Sequence, residues 1–144
     1  MIRLEVAGLD AVEKHLLEVP KKIERAVLGA MADAVFEHAR RGADKHTKSG
    51  ALLQSLYNRP IQGGREIGHD PQRAPHAVFV HWGTKPHVIK PKNRKMLRWP
   101  VGGAFAFARE VHHPGYKGDA WLTRAADSAM REFDAIVQRA TRNL

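Results

Sequence analysis

The sequence predicts an α+β domain in which helices cover one face of a mostly antiparallel sheet. Three observations carry that expectation. Two long stretches, one in the first half and one at the C-terminus, repeat apolar residues every three or four positions. Between them lie short apolar or alternating runs punctuated by Gly and Pro, the pattern of strands and turns. The regular strand–helix alternation of a doubly wound parallel sheet is absent. The order strand, helices, several strands, helix implies a sheet of four to six strands, packed by a long helix in the N-terminal half and a C-terminal helix. A chain of 144 residues has the size of one domain spanning 1–144, with a basic hairpin arm at about 84–100.

Each element has its own signal. Ile2, Leu4 and Val6 alternate with Arg3 and Glu5, the period of a half-buried strand. Asp10 is placed to cap a short helix through Glu18, and Pro20 is expected to interrupt it and to open the next helix. From Lys21 to Ala43, residues Ile23, Ala26, Val27, Ala30, Met31, Ala34 and Val35 form one apolar face. Lys22, Arg25, Asp33, Glu37 and Arg40 form the solvated side. Thr47-Lys48-Ser49-Gly50 is turn chemistry. A strand is predicted over 54–62, a hairpin turn at Gly63-Gly64 and a return strand over 65–68. Ala77-Val78-Phe79-Val80, ahead of Gly83-Thr84, reads as a central strand. Val88-Ile89 and Met96-Leu97-Arg98-Trp99 are short strands around a basic turn, and the run from Ala104 to Val111 returns as another. Asp119 is placed as the N-cap of the last helix. There Leu122, Ala126, Ala129, Phe133, Ile136, Val137 and Ala140 make the apolar stripe.

Charge is distributed unevenly. Between Pro71 and Arg109 stand Arg73, Lys85, Lys90, Lys92, Arg94, Lys95, Arg98 and Arg109, with no Asp or Glu. The rest of the chain carries 16 basic residues against 15 acidic ones, so this block supplies nearly all of the formal +9. Clustered like charge repels itself and persists where an anionic partner offsets it. In an extended arm, Lys90, Lys92 and Arg94 would alternate with Pro91 and Asn93 and project one way. The block lacks the aromatic interleaving of a single-strand-binding surface, which favours a protein neighbour over nucleic acid.

Other chemistries are weighed down by what is missing. The absence of cysteine excludes disulfides, thiolate catalysis and Cys-based zinc sites. Nine histidines are scattered without a metal-binding spacing, and His112-His113, being adjacent, point to opposite faces of a strand. No nucleophile elbow, phosphate-cradling loop or dinucleotide fingerprint occurs. A two-metal nuclease would need carboxylates beside its basic groove, and the basic block has none. A small metal-independent RNase, working with Lys, Arg and His, stays open. No apolar run approaches the roughly 20 residues that span a bilayer, and acids interrupt the first residues where a signal peptide would be apolar. A cytoplasmic protein is expected, with no cofactor, no small-molecule ligand and no membrane partner.

Three places in the chain together resemble one family. Ser49-Gly50-Ala51-Leu52 with Ser55 is similar to a Thr-Gly-x-Leu-x-x-Ser lead into a sheet. Phe79-Val80-His81-Trp82-Gly83-Thr84 stands where that family has an apolar strand ending in Gly-Thr. His113-Pro114-Gly115, followed by Trp121-Leu122 and Ala125, resembles its loop and the aromatic start of its last helix. The lysine-rich segment from Lys85 to Pro100 looks like a frequent variant. The family is that of the bacteriophage head–tail joining and tail-completion proteins, the neck and minor tail morphogenesis proteins of long-tailed phages. The match spans most of the chain from Ser49 onward. Ser49 in place of Thr, Leu53 in place of a basic residue and His81-Trp82 in place of an acidic–aromatic pair depart from the pattern.

The resemblance implies a non-enzymatic structural protein of a phage or prophage. It would assemble into a ring at the head–tail junction or tail end and dock to neighbouring neck or tail proteins. Its place would be the host cytoplasm during assembly and then the virion. Ser49, Gly50, Gly83, Thr84, His113, Pro114 and Gly115 would shape turns. Trp82, Lys85, Lys90, Lys92, Arg94, Lys95 and Arg98 would contact other subunits or a partner. The alternative from another class is a small basic nucleic-acid-binding module, the metal-independent RNase included.

Overall fold

The protein is α+β. The computed structural model describes residues 9–46, 48–142 and 144. The strand expected at Ile2–Val6, and Thr47 of the expected turn, lie outside the described residues. The chain divides into two compact units, one of residues 1–74 with 121–144 and the other Pro75–Ala120.

The first unit is built on one long helix, α1 (Leu9–Asp44). Pro20 was expected to break it and does not. A proline inside a helix removes one backbone hydrogen bond and crowds the preceding turn, and the helical turns on both sides here outlast that local loss. From residue 17 onward its buried residues are Ala32, Ala39 and Ala43, whereas most of the apolar face expected from periodicity is only half-buried. The reason is coverage. At roughly 1.5 Å per residue α1 is about 54 Å long, and the helices that pack on it, α4 (Trp121–Arg131) and α5 (Phe133–Thr141), are far shorter. Leu17, Ile23 and Leu28 are left exposed.

The last helix also differs from expectation. It is broken at Glu132, whose φ of −95° and ψ of 5° leave the helical region and whose N–H turns back to the Ala129 carbonyl. The Glu132 carboxylate lies 3.0 Å from Nε2 of His38 on α1. The buried residues are Trp121, Ala125, Ala129 and Ile136: Ala129 and Ile136 belong to the expected stripe, whereas Ala126 and Phe133 of that stripe are exposed and Trp121 and Ala125 are buried in the first turns instead. Trp121, which the resemblance places at the aromatic start of the last helix, opens α4 and is the largest fully buried side chain among the described residues. Gly42 is what lets it in: a Cβ there would meet the Trp121 Cβ at 3.1 Å. An Ala–Gly surface brings helix axes close together.

A short helix, α2 (Ala51–Ser55), leads into a hairpin of β1 (Leu56–Ile61) and β2 (Gly64–His69). Register runs from Leu56↔His69 to Ile61↔Gly64, so the turn residues are Gln62 and Gly63 rather than Gly63 and Gly64. Ser55 and Asp70 extend the ladder in the same register, through an Asp70 N–H to Ser55 carbonyl bond of 2.8 Å. Asn58 Nδ2 donates to Asp33 on α1 at 3.1 Å.

The second unit begins with α3 (Ala77–Trp82), where a central strand was predicted. An apolar run of four residues has no period long enough to separate strand from helix. Pro75 before it and Gly83 after it are the punctuation of a helix. The Val80 N–H bonds the His76 carbonyl, and the Gly83 N–H bonds that of Phe79. The remaining strands are β3 (His87–Ile89), β4 (Leu97–Val101), β5 (Ala104–Ala108) and β6 (Val111–His113). The six strands do not merge into one sheet among the described residues. They form three antiparallel pairs, β1–β2, β3–β6 and β4–β5.

Candidate interaction site: a basic two-tier ribbon

The two pairs of the second unit are one ribbon interrupted once. Thr84↔Tyr116, His87↔His113 and Ile89↔Val111 share a single antiparallel register and form the lower tier. Leu97↔Ala108 through Val101↔Ala104 form the upper tier, closed by Gly102-Gly103, both at positive φ as a type I′ turn requires. Between the tiers one strand inserts Lys90 to Met96 while the other passes only Arg109 and Glu110. The basic segment is therefore a large one-sided bulge in a long hairpin. The chain bends from Lys92 through Met96, so the extended, one-sided display expected of Lys90, Lys92 and Arg94 does not occur.

The foot of the ribbon is a close backbone crossing. Thr84 and Tyr116 exchange both backbone hydrogen bonds, at 2.7 and 2.9 Å, and the Asp119 N–H bonds the Val80 carbonyl at 2.8 Å. Gly83, at φ 83°, packs against the Tyr116–Gly118 backbone, and a Cβ there would collide with the Tyr116 carbonyl oxygen. Gly115, at φ 86°, meets the Thr84–Pro86 backbone in the same way, with 2.6 Å from a Cβ to the Thr84 oxygen. His113 Nδ1 accepts the Gly115 N–H at 3.0 Å, which folds the turn through Pro114. Its ring stacks on His87 at 4.9 Å between centroids. The His87 Nδ1–H donates to the Lys85 carbonyl at 2.8 Å. A groove of about 760 Å³ opens here, lined by Phe79, Val80, Ile89 and Tyr116 with Lys85 at its rim. The Thr84 hydroxyl is buried without a hydrogen-bond partner among the described residues.

The upper tier is apolar on both faces. Opposed residues of an antiparallel pair share a face, so Leu97, Trp99, Val101, Ala104, Ala106 and Ala108 make one side. Pro100, Phe105, Phe107 and Arg98 make the other, with the Arg98 guanidinium 4.3 Å above the Phe105 ring. Trp99, Val101, Phe105 and Phe107 are exposed, and among the described residues neither ribbon edge pairs with a further strand. Sequence reading did not single out these aromatics. The signal was present in AFAF facing LRWPV, an alternation with no polar phase.

The bulge holds the charge. Lys90 lies 3.6 Å from Glu110, which also lies 3.4 Å from His112. Lys92, Arg94 and Lys95 are exposed and form no ion pair with a described residue. They surround a concavity of about 720 Å³ whose wall includes Phe107 and Met96. Lys85 and Trp82 are exposed as well, Trp82 at 73 %. The structure thus gathers Lys92, Arg94, Lys95 and Arg98 around one concavity and leaves Lys85 and Trp82 at the other end of the unit's chain path.

Ser49 and Gly50 lie outside this unit. Ser49 Oγ accepts the Ala51 N–H at 3.4 Å, and Gly50, at φ 79°, precedes α2 and accepts the Gln54 N–H through its carbonyl. Near them, in the first unit, Tyr57 donates to Glu66 at 2.8 Å and Arg59 Nε donates to the same carboxylate at 2.9 Å. The Tyr57 hydroxyl and then the Arg59 guanidinium hold the Glu66 carboxyl below the usual range, and the same hydrogen bond raises Tyr57.

Among the described residues, no group of three or more His, Asp or Glu is placed to hold a metal ion, and no helix is long and apolar enough to cross a membrane. Comparison of the chain with protein-family models, with curated proteins and with solved structures finds no match.

Proposed function

We propose that this chain is a non-enzymatic assembly protein of a phage or prophage virion, acting at the head–tail junction or tail end through self-association and docking to neighbouring neck or tail proteins. The observation that carries the reading is the upper tier of the ribbon, apolar on both faces and, among the described residues, open at both edges. A two-stranded hairpin is marginal alone in water, and strands that are apolar on both faces belong between two covering layers. Large exposed apolar patches mark interaction surfaces. The uncovered Leu17, Ile23 and Leu28 on α1 offer a second such surface. Two unlike patches on one chain give head-to-tail contacts, which close into a ring when the rotation closes. The residue pattern at Ser49–Ser55, Phe79–Thr84 and His113–Ala125 supplies the family to which this assembly is assigned.

Light scattering across a concentration series tests the reading. Assembly beyond the monomer is expected, reduced in a Trp99→Ser/Phe105→Ser/Phe107→Ser variant. A strict monomer at every concentration, also with purified connector or tail-tube protein present, would overturn it.

A further inference from the structure

We infer that the bulge between the two ribbon tiers is a binding site for a nucleic-acid phosphate backbone. The inference stands on the chemistry of the loop and does not depend on the assembly reading.

Sequence alone argued against such a site, because no aromatic residue is interleaved with the cations. The ribbon register supplies one. Phe107 pairs with Arg98 across the upper tier, next to the point where the bulge rejoins it, and its exposed ring walls the concavity ringed by Lys92, Arg94 and Lys95. A cationic rim over an aromatic wall suits a chain of phosphates with bases attached.

Charge accounting points the same way. Between Pro75 and Ala120 there are eight basic residues and two acidic ones. Of the two, Glu110 is already shared by Lys90 and His112. In the bend over Lys92–Met96, Lys92, Arg94 and Lys95 line one concavity together with Arg98. Such crowding is favourable once an anion of several charges occupies the centre. Arg98, which also lines the concavity, has its guanidinium carbon 4.3 Å from the Phe105 ring centre, and a guanidinium can meet a phosphate with two N–H groups. An acidic protein segment offers carboxylates with no obligatory ring, whereas every nucleotide brings a base to stack on Phe107, so the wall favours nucleic acid.

The test is fluorescence anisotropy of the full-length protein with a short DNA duplex and with an oligothymidylate strand. Three to four phosphate contacts predict that duplex affinity falls about 40- to 150-fold between about 50 and 200 mM salt. Lys92→Gln/Arg94→Gln/Lys95→Gln should flatten the log–log salt slope by about three, and the exposure of all three side chains makes the variant safe to fold. Phe107→Ala should weaken the single strand by roughly five-fold or more and leave the duplex unchanged if single strands are the true ligand. Equal losses on both probes from the triple substitution would assign the site to backbone charge alone, which still supports the proposal. Binding that is salt-insensitive, that survives the triple substitution, or that is matched by polyglutamate would overturn it. Light scattering on the triple variant separates the two readings: loss of nucleic-acid binding with assembly intact supports the site, and loss of assembly with nucleic-acid binding retained would overturn it and return the three cations to the subunit contacts that the resemblance implies.

Discussion

Gly83→Ala tests whether the backbone crossing at the foot holds the ribbon in place. At φ 83° and ψ −174° Gly83 occupies a region that other residues rarely enter, and forcing Ala into it costs on the order of 1–3 kcal/mol. The added Cβ would overlap the Tyr116 carbonyl oxygen, and would lie 2.7 Å from the Lys117 carbonyl carbon and 2.8 Å from the Gly118 nitrogen. All three are backbone atoms, so no side chain can swing away. Relief requires the two segments to part, and with them the pair of Thr84–Tyr116 hydrogen bonds, each worth about 0.5–1.5 kcal/mol. Those bonds break on opening in wild type too, so the strain of about 1–3 kcal/mol sets the change: the open foot gains roughly 5- to 140-fold in population at about 1.4 kcal/mol per decade, and the overlap adds to it. Hydrogen exchange at the Thr84 and Tyr116 amides, read by NMR, measures that population directly. Gly103→Ala is the control. Its φ is 85°, but nothing lies within 4 Å of the added Cβ, so only local strain of about 1–2 kcal/mol remains, at the far end of the ribbon. If Gly83→Ala accelerates exchange at Thr84 and Tyr116 no more than Gly103→Ala does, the crossing does not hold the ribbon and the reasoning fails.

Two further outcomes concern the first unit. Trp121→Ala should destabilise it by about 3–5 kcal/mol in denaturant titration, because a side chain 2 % exposed leaves a cavity between α4 and α1; a change below about 1 kcal/mol would mean that the helix interface collapses to fill it. The hairpin should weaken in acid through Glu66. Its carboxyl is lowered in the fold, so its contribution is present above the unfolded value of about 4.3 and is lost as pH falls through the folded one. Melting temperatures of wild type and Glu66→Gln should therefore differ most near neutral pH and converge in acid. A gap constant across pH would remove Glu66 from the explanation.

Much of the secondary structure is legible in the sequence because its causes are local. The 3.6-residue period announces α1 and the C-terminal helices, and Gly102-Gly103 announces a tight turn. The positions of β1, β2 and β4 follow from short apolar runs between turn residues. Where local causes were balanced, reading failed. Ala77–Trp82 has apolar residues compatible with either state, and the capping Gly83 decided for helix. Pro20 looked like a boundary because its local penalty is real, but a helix is cooperative and continues past one lost bond.

The sequence by itself determined the α+β composition, the turn glycines and the concentration of positive charge between Pro71 and Arg109. Those are properties of single residues and of near neighbours. Which stripe of α1 is buried, that Trp121 is core, and that Phe107 stands beside Lys92 and Arg94 were decided only by tertiary structure. Pairing Leu97 with Ala108 and Ile89 with Val111 in different registers forces seven residues to bulge opposite two. No local preference encodes that offset. It arises from cross-strand packing between residues far apart in the chain, and it turns a basic stretch into a concave site.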